Sequence, residues 1–227
     1  MTAILLDIEG TTTPLSFVSA VLTPYSIQAL PGFLATKRTE PAIREAMLMV
    51  LADATEADSR RDELETVLAV CRRQIAADVK ATGLKQLQGL VWSSGYSTGK
   101  LRGQLFPDVH ERLKAWRAEG RAVGIFSSGS RLAQQLLFKY SDCGDLSGAI
   151  NAYFDTTTGP KRSSASYTAI AAKLGYPAEE ITFATDQPAE ADAAAQAGLQ
   201  TALIMRPGNS PLPAQLAHPV HADLTHL

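Results

Sequence analysis

Residues 3–12, AILLDIEGTT, decide the fold of this chain more than any other stretch. The four apolar residues at 3–6 are too few for one face of a helix and are typical of a buried strand in a parallel sheet. The glycine and threonines that follow favour a loop. Because side chains two apart on an extended backbone point the same way, Asp7 and Glu9 are predicted to project together from the carboxyl end of this strand. Two such carboxylates suit a metal site or a nucleophile with an acid–base partner, and the alternative is a solvated acidic turn.

Composition bounds the class of protein. The chain has 227 residues, of which 45% are hydrophobic, so it can bury a full core as one large domain or two modest ones. The formal net charge is −2 and no basic block is present, so we expect no nucleic-acid partner. Cys71 and Cys143 lie far apart in the sequence and form no ligand cluster, which indicates free thiols in a reducing compartment.

Hydropathy gives the expected location. No run approaches the ~18 consecutive apolar residues that span a bilayer. Asp7 interrupts the first apolar run too early for a signal peptide. We therefore expect a soluble, cytoplasmic protein that has no membrane partner and acts as a monomer.

The first half of the chain reads as helical. Residues 16–94 contain hardly a strand-like run. A helix is predicted over 40–54, where Pro41 follows a threonine and a glutamate in a typical helix start. A second is predicted over 60–82, where apolar residues recur at helical spacing, and Gly83 is expected to end it.

From residue 95 onwards, short strands alternate with helices, which predicts a doubly wound parallel sheet in an α/β domain of the Rossmann type. The predicted strands are 121–126, 152–154, 181–184 and 201–205, and the predicted helices are 109–119, 131–140, 164–174 and 189–197. The domain prediction is a catalytic core of residues 1–14 and 96–227, with a helical cap of residues 15–95 inserted after the first strand.

Chemically useful residues stand at the ends of four predicted strands, where ligands bind in open α/β sheets. The sequence FSSGS places Ser127 and Ser128 before a helix, which suits an anion site, although a serine there can simply cap the helix. The third strand leads to Lys161, which alone would be a solvated loop lysine. The fourth gives Asp186, with Glu190 four residues later, and an aspartate there can also be a helix cap. Four such ends in one sheet are poorly explained as independent accidents.

Together these residues predict a phosphoryl-transfer site. Asp7 and Asp186 offer the hard oxygen ligands that Mg²⁺ prefers. Ser127, its neighbouring amides and Lys161 would neutralise the phosphoryl oxygens. Asp7 as a nucleophile would form an aspartyl-phosphate. Glu9 would protonate the leaving alcohol and then deprotonate the attacking water.

The order Asp-x-acid-Gly-Thr, strand-Ser, Lys, strand-Asp resembles the haloacid dehalogenase superfamily of aspartate-nucleophile phosphatases. Most of that superfamily carries aspartate two residues after the nucleophile, where this chain has Glu9. The string LLDIEGTTTPLSFV, with FSSGS, GPKRSSASY, FATD and RPGN, is similar to the enolase-phosphatase E1 family of methionine salvage. The resemblance covers nearly the whole chain except the less distinctive cap helices.

This resemblance implies a bifunctional enzyme. Members of the family act on the small phosphorylated diketone 2,3-diketo-5-methylthiopentyl-1-phosphate. They enolise it and then remove its phosphate, which leaves the acireductone 1,2-dihydroxy-3-keto-5-methylthiopentene. The base for enolisation is not identified. The implied site comprises Asp7 and Glu9 for catalysis, Ser127, Ser128 and Lys161 for phosphate, Asp7, Glu9 and Asp186 for Mg²⁺, and Glu190 in support.

Other functions remain open at this point. A haloacid dehalogenase would use the same nucleophile on carbon but needs neither Glu9 nor Asp186. A phosphosugar phosphatase or phosphomutase of the same superfamily would share the whole core. A receiver-like signalling domain would lack the helical insert after its first strand. A binding protein without activity would be expected to have lost one of the four site elements.

Overall fold

Six parallel strands form the sheet of this protein, in a computed structural model that describes residues 2–58, 60–79, 81–213 and 215–227. The strands are β1 (Ala3–Leu6), β2 (Ala122–Phe126), β3 (Ala152–Phe154), β4 (Ile181–Thr185), β5 (Gln200–Ile204) and β6 (Val220–His221). Their order across the sheet is β3-β2-β1-β4-β5-β6, which confirms the predicted doubly wound α/β fold.

The register brings three strand ends to one level. Leu6 of β1 lies opposite Ile125 of β2 on one side and Ala184 of β4 on the other. All four residues of β1 are buried, as the continuous apolar run predicts. The strand order reverses at β1, because β2 and β3 lie on one side of it and β4, β5 and β6 on the other. Ligands bind outside the carboxyl ends of the strands at such a point. Asp7 follows β1 directly and therefore stands there.

The strand β6 is absent from the strands that the sequence predicts, which end with 201–205. Val220 pairs with Leu203 of β5, and the amide of Leu203 donates to the carbonyl of Pro219 at 2.8 Å. A strand of two residues carries no alternation of apolar and polar side chains that would reveal it.

Two compact units divide the chain, one comprising Met1–Phe17 with Arg102–Leu227 and the other Val18–Leu101. The second unit is helical, and a π-helical turn at Val18–Leu22 leads into its first helix. Its helices are α1 (Thr23–Lys37), α2 (Pro41–Leu51), α3 (Glu63–Ala76) and α4 (Thr82–Ser97). Leu34, Met47 and Cys71 are among the buried residues of its own apolar core. Its role as a cap remains a prediction.

The predicted helix over 60–82 is wrong in its extent, and Gly83 does not end it. The helix α3 ends at Ala76, and the backbone of Asp78 then takes a left-handed conformation with φ of 50°. Gly83 instead lies in the first turn of α4. A Cβ there would stand 2.8 Å from the backbone nitrogen of Val50, so glycine allows α4 to approach α2 closely.

The helices of the first unit agree with prediction to within two residues at each end. They are α5 (Pro107–Ala118), α6 (Arg131–Lys139), α7 (Ser164–Leu174) and α8 (Pro188–Gln196). Tyr167 of α7 packs between Phe126 and Phe183, with ring centroids 5.6 and 5.1 Å away. This aromatic cluster belongs to the apolar core that joins α7 and α8 to the sheet.

One helical stretch among the described residues, Val18–Lys37, is long and apolar enough to cross a membrane by length and composition. This criterion averages hydropathy over a window, whereas the expectation from the sequence concerned a run of ~18 consecutive apolar residues. The stretch contains no such run. No charged residue precedes Lys37 in the stretch, so its average hydropathy passes although serine, threonine and glutamine interrupt it. Core helices of soluble proteins pass the same test, and Leu30 and Leu34 are buried in the core of the helical unit.

Candidate active site

Asp7 occupies the centre of the site. Its backbone amide donates to the carbonyl of Ala184 at 2.9 Å, which continues the pairing of β1 with β4, and the residue is only 5% exposed. The extended backbone stops here, because the amides of Thr11, Thr12 and Thr13 all donate to the carbonyl of Ile8 in a tight turn. The backbones of Glu9 and Thr13 form an isolated bridge. The joint projection of Asp7 and Glu9 stays a prediction.

Lys161 joins two carboxylates. Its ammonium nitrogen Nζ lies 2.7 Å from Oδ1 of Asp7 and 2.6 Å from Oε2 of Glu190. The loop that carries Lys161 is held by the start of α7, where the Tyr167 hydroxyl donates to the Lys161 carbonyl at 2.6 Å. The Ser166 hydroxyl donates to the neighbouring Pro160 carbonyl at 2.8 Å. Glu190, which the sequence suggests only as a supporting residue, is thus in direct contact with the lysine.

Thr185 is a member of the site that sequence reasoning missed. Its Oγ1 lies 3.1 Å from Oδ2 of Asp7 and also 3.1 Å from Oε2 of Glu190, and it accepts the amide hydrogen of Gln187 at 3.1 Å. A hydroxyl has one hydrogen, so it can donate to only one of the two carboxylates at a time. The available signal was a hydroxyl residue at the end of a strand, directly before Asp186.

The electrostatics of the site show an excess of negative charge. Burial acts to lower the pKa of Lys161, but the charges of Asp7 and Glu190 outweigh it and raise that pKa, so the lysine stays protonated. Burial, followed by the charge of Asp7, raises the pKa of Glu190 to about 7. The same two causes, in the same order, raise the pKa of Asp186. Crowded, buried carboxylates favour a proton or a cation among them.

Gly10 lies directly beside Asp186. Its φ is +73°, and a Cβ built on it would stand 2.5 Å from Oδ2 of Asp186. The side-chain amide of Gln187 donates to that same oxygen at 2.9 Å. The loop after β1 can therefore approach the loop after β4 only because residue 10 has no side chain.

We expect Gly10→Ala to destabilise the protein more than Gly120→Ala. Both glycines have left-handed backbones, with φ of +73° and +70°, and alanine pays roughly 1–2 kcal/mol for that conformation. A Cβ on Gly120 meets nothing within 4 Å, whereas one on Gly10 clashes with Asp186 and adds about 1–3 kcal/mol. Denaturant unfolding of the two variants measures the difference. Equal losses would show that the loops at Gly10 and Asp186 are not closely packed.

The loop after β2 carries the two predicted phosphate residues. Ser127 is buried and Ser128 is exposed. The amide of Ser127 donates to the Phe154 carbonyl at 3.2 Å, and its Oγ accepts the Gly129 amide hydrogen at 3.2 Å. Gln134 donates through its side-chain nitrogen to the carbonyls of Gly129 and Phe154, at 2.8 Å each. This loop is thus fixed at the same edge of the sheet as Asp7.

No group of three or more histidine, cysteine, aspartate or glutamate side chains that could hold a metal ion is found across the described residues. A cation in this site would need other oxygens beside the carboxylates. Mg²⁺ commonly binds in this way, with one or two carboxylates and the remaining positions filled by water and phosphate.

Comparison with known proteins supports the family suggested by the sequence motifs. A model of the haloacid dehalogenase-like hydrolases matches residues 1–198. The chain is 49% identical to an enolase-phosphatase E1 of Synechococcus elongatus, over 92% of this chain and 91% of the relative. It is 46% identical to an enolase-phosphatase E1 of Pseudomonas aeruginosa, over the same shares of the two chains.

Solved structures show the same fold. The crystal structure of the UTR4 protein from Saccharomyces cerevisiae superimposes with a TM-score of 0.85 at 35% identity and covers 100% of this chain and 99% of its own. CbbY from Rhodobacter sphaeroides, solved in complex with phosphate, gives a TM-score of 0.58 at 15% identity, with coverage of 98% and 95%. The second likeness concerns the fold alone.

Proposed function

The chain belongs to the enolase-phosphatase E1 family of haloacid dehalogenase-like hydrolases, and we propose that it converts 2,3-diketo-5-methylthiopentyl-1-phosphate to the acireductone and phosphate in methionine salvage. The observation that carries this proposal is the buried carboxylate of Asp7. One of its oxygens pairs with Lys161 and the other faces the hydroxyl of Thr185. We further propose that the enzyme acts in the cytoplasm as a monomer.

Asp7 is proposed as the nucleophile of the phosphatase step. Its carboxylate attacks phosphorus, the bond from phosphorus to the enol oxygen breaks, and an aspartyl-phosphate forms. Lys161, protonated and 2.7 Å from Asp7, holds the carboxylate in place and offsets the charge that gathers during attack. Thr185 orients the second oxygen through its hydroxyl.

Glu9 is proposed as the acid and base of the same step. It gives a proton to the departing enol oxygen, and it later takes a proton from the water that attacks the aspartyl-phosphate. The water oxygen bonds to phosphorus, the bond to Asp7 breaks, and inorganic phosphate leaves. Glu9 has then lost one proton and regained one, and the site returns to its starting state.

The phosphate is proposed to lie against the loop after β2. Ser127 directs its Oγ lone pair to the Gly129 amide, so its hydroxyl hydrogen remains available to a phosphoryl oxygen. Ser128 is exposed beside it, two residues before Ser130, the N-cap of α6, and the N-terminus of a helix favours an anion. Gln134 draws the Gly129 carbonyl inwards, which keeps a repelling oxygen away from the phosphate.

The donor set of the site suits Mg²⁺. Three buried carboxylates, Asp7, Asp186 and Glu190, lie in the site. Asp7 and Glu190 share a single ion-pair partner, Lys161. Burial, and after it the charge of Asp7, raises the pKa of Asp186, so a cation beside this carboxylate would be favourable. We infer that the carboxylates of Asp7 and Asp186 would hold the ion and that Glu9 would be a further ligand, with water and phosphate at the remaining positions. When bound, Mg²⁺ neutralises phosphoryl charge and polarises a nearby carbonyl as a Lewis acid.

The Glu9→Gln variant is expected to separate the two half-reactions. Glutamine keeps the shape but cannot shuttle a proton, a role worth on the order of 10²–10⁴-fold. Phosphate release should slow by that factor, while the phosphorylated enol accumulates if a different residue serves enolisation. The measurement is a paired time course of enol absorbance and free phosphate, with Glu179→Gln on the exposed surface as the control. Unchanged phosphate release in Glu9→Gln would remove Glu9 from this role.

Substrate identity needs its own test. The purified enzyme should be assayed against the diketo phosphate, a generic aryl phosphate and a set of phosphosugars. The proposal expects efficient turnover of the diketo phosphate and slow turnover of the others. A clear preference for a phosphosugar would favour the alternative, a different phosphatase of the same superfamily.

A further inference from the structure

Asn209 carries a polar atom that the proposed reaction leaves unexplained. Its side-chain oxygen Oδ1 is buried and has no hydrogen-bond partner among the described residues. A buried acceptor without a donor costs roughly 1–3 kcal/mol, so native proteins usually supply one. The residue lies beyond β5, on the loop that follows the carboxyl end of that strand. This is the same edge of the sheet that carries Asp7 and Asp186.

The side-chain nitrogen of Asn209 fixes the orientation of the side-chain amide. Its nitrogen Nδ2 donates to the carbonyl of Gly10 at 2.9 Å and to the carbonyl of Ile204 at 3.2 Å. Two acceptors require two hydrogens, so the nitrogen and oxygen cannot exchange places. Oδ1 of Asn209 therefore points away from both carbonyls.

Oδ1 of Asn209 lies close to the carboxylate of Asp186. A Cβ placed on Gly10 would stand 3.1 Å from Oδ1 of Asn209 and 2.5 Å from Oδ2 of Asp186. Oδ2 of Asp186 accepts from the side-chain amide of Gln187 at 2.9 Å, and it cannot satisfy Oδ1 of Asn209 because both oxygens are acceptors. A water molecule bound to a cation at Asp186 would supply the missing donor.

The loop that carries Asn209 is rigidly anchored. Arg206, which is 5% exposed, donates from Nε to the Thr11 carbonyl at 3.0 Å. Its two terminal nitrogens bind the carboxylate of Asp108 at 2.7 and 2.8 Å. The Nε bond joins the loop after β5 to the loop after β1, and the buried bidentate pair joins it to α5. The position of Asn209 is therefore set before any ligand arrives.

We infer that Oδ1 of Asn209 belongs to the divalent-cation site, where it accepts a hydrogen bond from the water shell of the ion. The inference rests on the proposed function, since it concerns the Mg²⁺ that Asp7 and Asp186 are proposed to hold. It adds a residue from the loop after β5 to a site otherwise built from the loops after β1 and β4. Outer-shell partners of this kind typically change metal affinity 10- to 100-fold.

The test is Mg²⁺ binding in the absence of substrate, measured by titration calorimetry on chelator-stripped protein. Asn209→Ala removes the oxygen and is expected to weaken Mg²⁺ binding by about 10- to 100-fold. Asn209→Asp keeps an oxygen but loses both donated hydrogen bonds. It is expected to bind Mg²⁺ at least as tightly as the wild type, although the metal-free protein should be less stable.

Gln74→Ala is the matched control. The side-chain nitrogen of Gln74 also donates a hydrogen bond, to the carboxylate of Asp53 at 2.8 Å, and its buried oxygen also has no described partner, but the residue lies in α3. Its loss should leave Mg²⁺ affinity within a few-fold of wild type. If it weakens binding as much as Asn209→Ala, general loosening explains the effect and the inference is overturned.

Three further results would overturn it. Equal affinity of the wild type and Asn209→Ala would mean that an ordinary buried water satisfies the oxygen. Weak binding by both Asn209 variants would assign the effect to the lost bonds with Gly10 and Ile204. A wild-type protein that binds no Mg²⁺ would overturn the proposed metal site itself, which is a different failure from the first two.

Discussion

The Asp7→Asn variant is expected to lose phosphatase activity by several orders of magnitude. Asparagine matches aspartate in shape but has no negative charge, so the attack on phosphorus cannot begin. Removal of a covalent nucleophile in other enzymes costs on the order of 10⁴–10⁶-fold in kcat. The measurement is the steady-state rate of phosphate release at saturating substrate and Mg²⁺.

A folding check and a control variant make the result for Asp7→Asn specific to the lost nucleophile. The variant should remain folded, because Lys161 keeps its ion pair with Glu190 at 2.6 Å, and thermal unfolding will show this. Asp192→Asn makes the same chemical change at an exposed carboxylate that contacts His218, and its rate should stay within a few-fold of wild type. Near-normal phosphate release by a folded Asp7→Asn protein would show that the covalent mechanism is wrong.

The second large effect concerns the metal. We expect Asp186→Ala to abolish Mg²⁺-dependent phosphate release, because Asp186 faces the Asp7 region from the neighbouring strand β4. Excess EDTA should inactivate the wild type, and added Mg²⁺ should restore it. Ca²⁺ should substitute poorly, since its larger and looser shell of oxygens would misplace the phosphoryl group.

The Asp186→Ala substitution and the removal of Mg²⁺ by EDTA should both abolish phosphate release. Asp186→Ala should stay inactive at every Mg²⁺ concentration that restores the wild type. We expect the variant to remain folded, because it removes a buried carboxylate that is repelled by Asp7. Full wild-type activity in excess chelator would contradict the metal assignment. It would also revive the dehalogenase reading, in which the aspartate acts on carbon without a metal.

The sequence predicted five of the six strands because each of those five carries its own local signal. Residues 3–6 are apolar throughout and lie at the centre of the sheet, and the helix predicted at 164–174 has the observed bounds. The residues at the strand ends could be found because a parallel sheet brings all of those ends to one edge. This logic needs no knowledge of side-chain packing.

The contacts within the site could not be predicted in the same way. Glu190 in the first turn of a helix has a sufficient local reason, since an acid there favours the helix dipole. Its pairing with Lys161 depends on tertiary structure, as does the bond of Thr185 to Asp7, which joins residues 178 positions apart. Asn209 is similar, because nothing near it in the sequence reveals that it reaches Gly10.

The local patterns also failed where packing overrode them. Gly83 reads as a helix end, but it is a point of close approach between two helices. A close backbone contact, absent from any local pattern, decides the conformation there.

The most direct test of the central claim is a time course of the wild-type enzyme with the diketo phosphate and Mg²⁺. Ultraviolet absorbance would follow the enol, a coupled assay would follow free phosphate, and mass spectrometry of quenched samples would look for a phosphoryl group on Asp7. The account predicts that both signals appear with this substrate, that phosphate never precedes the enol, and that Asp7 carries the phosphoryl group. Phosphate release without enol formation, or a phosphoryl group on no residue of the enzyme, would contradict it.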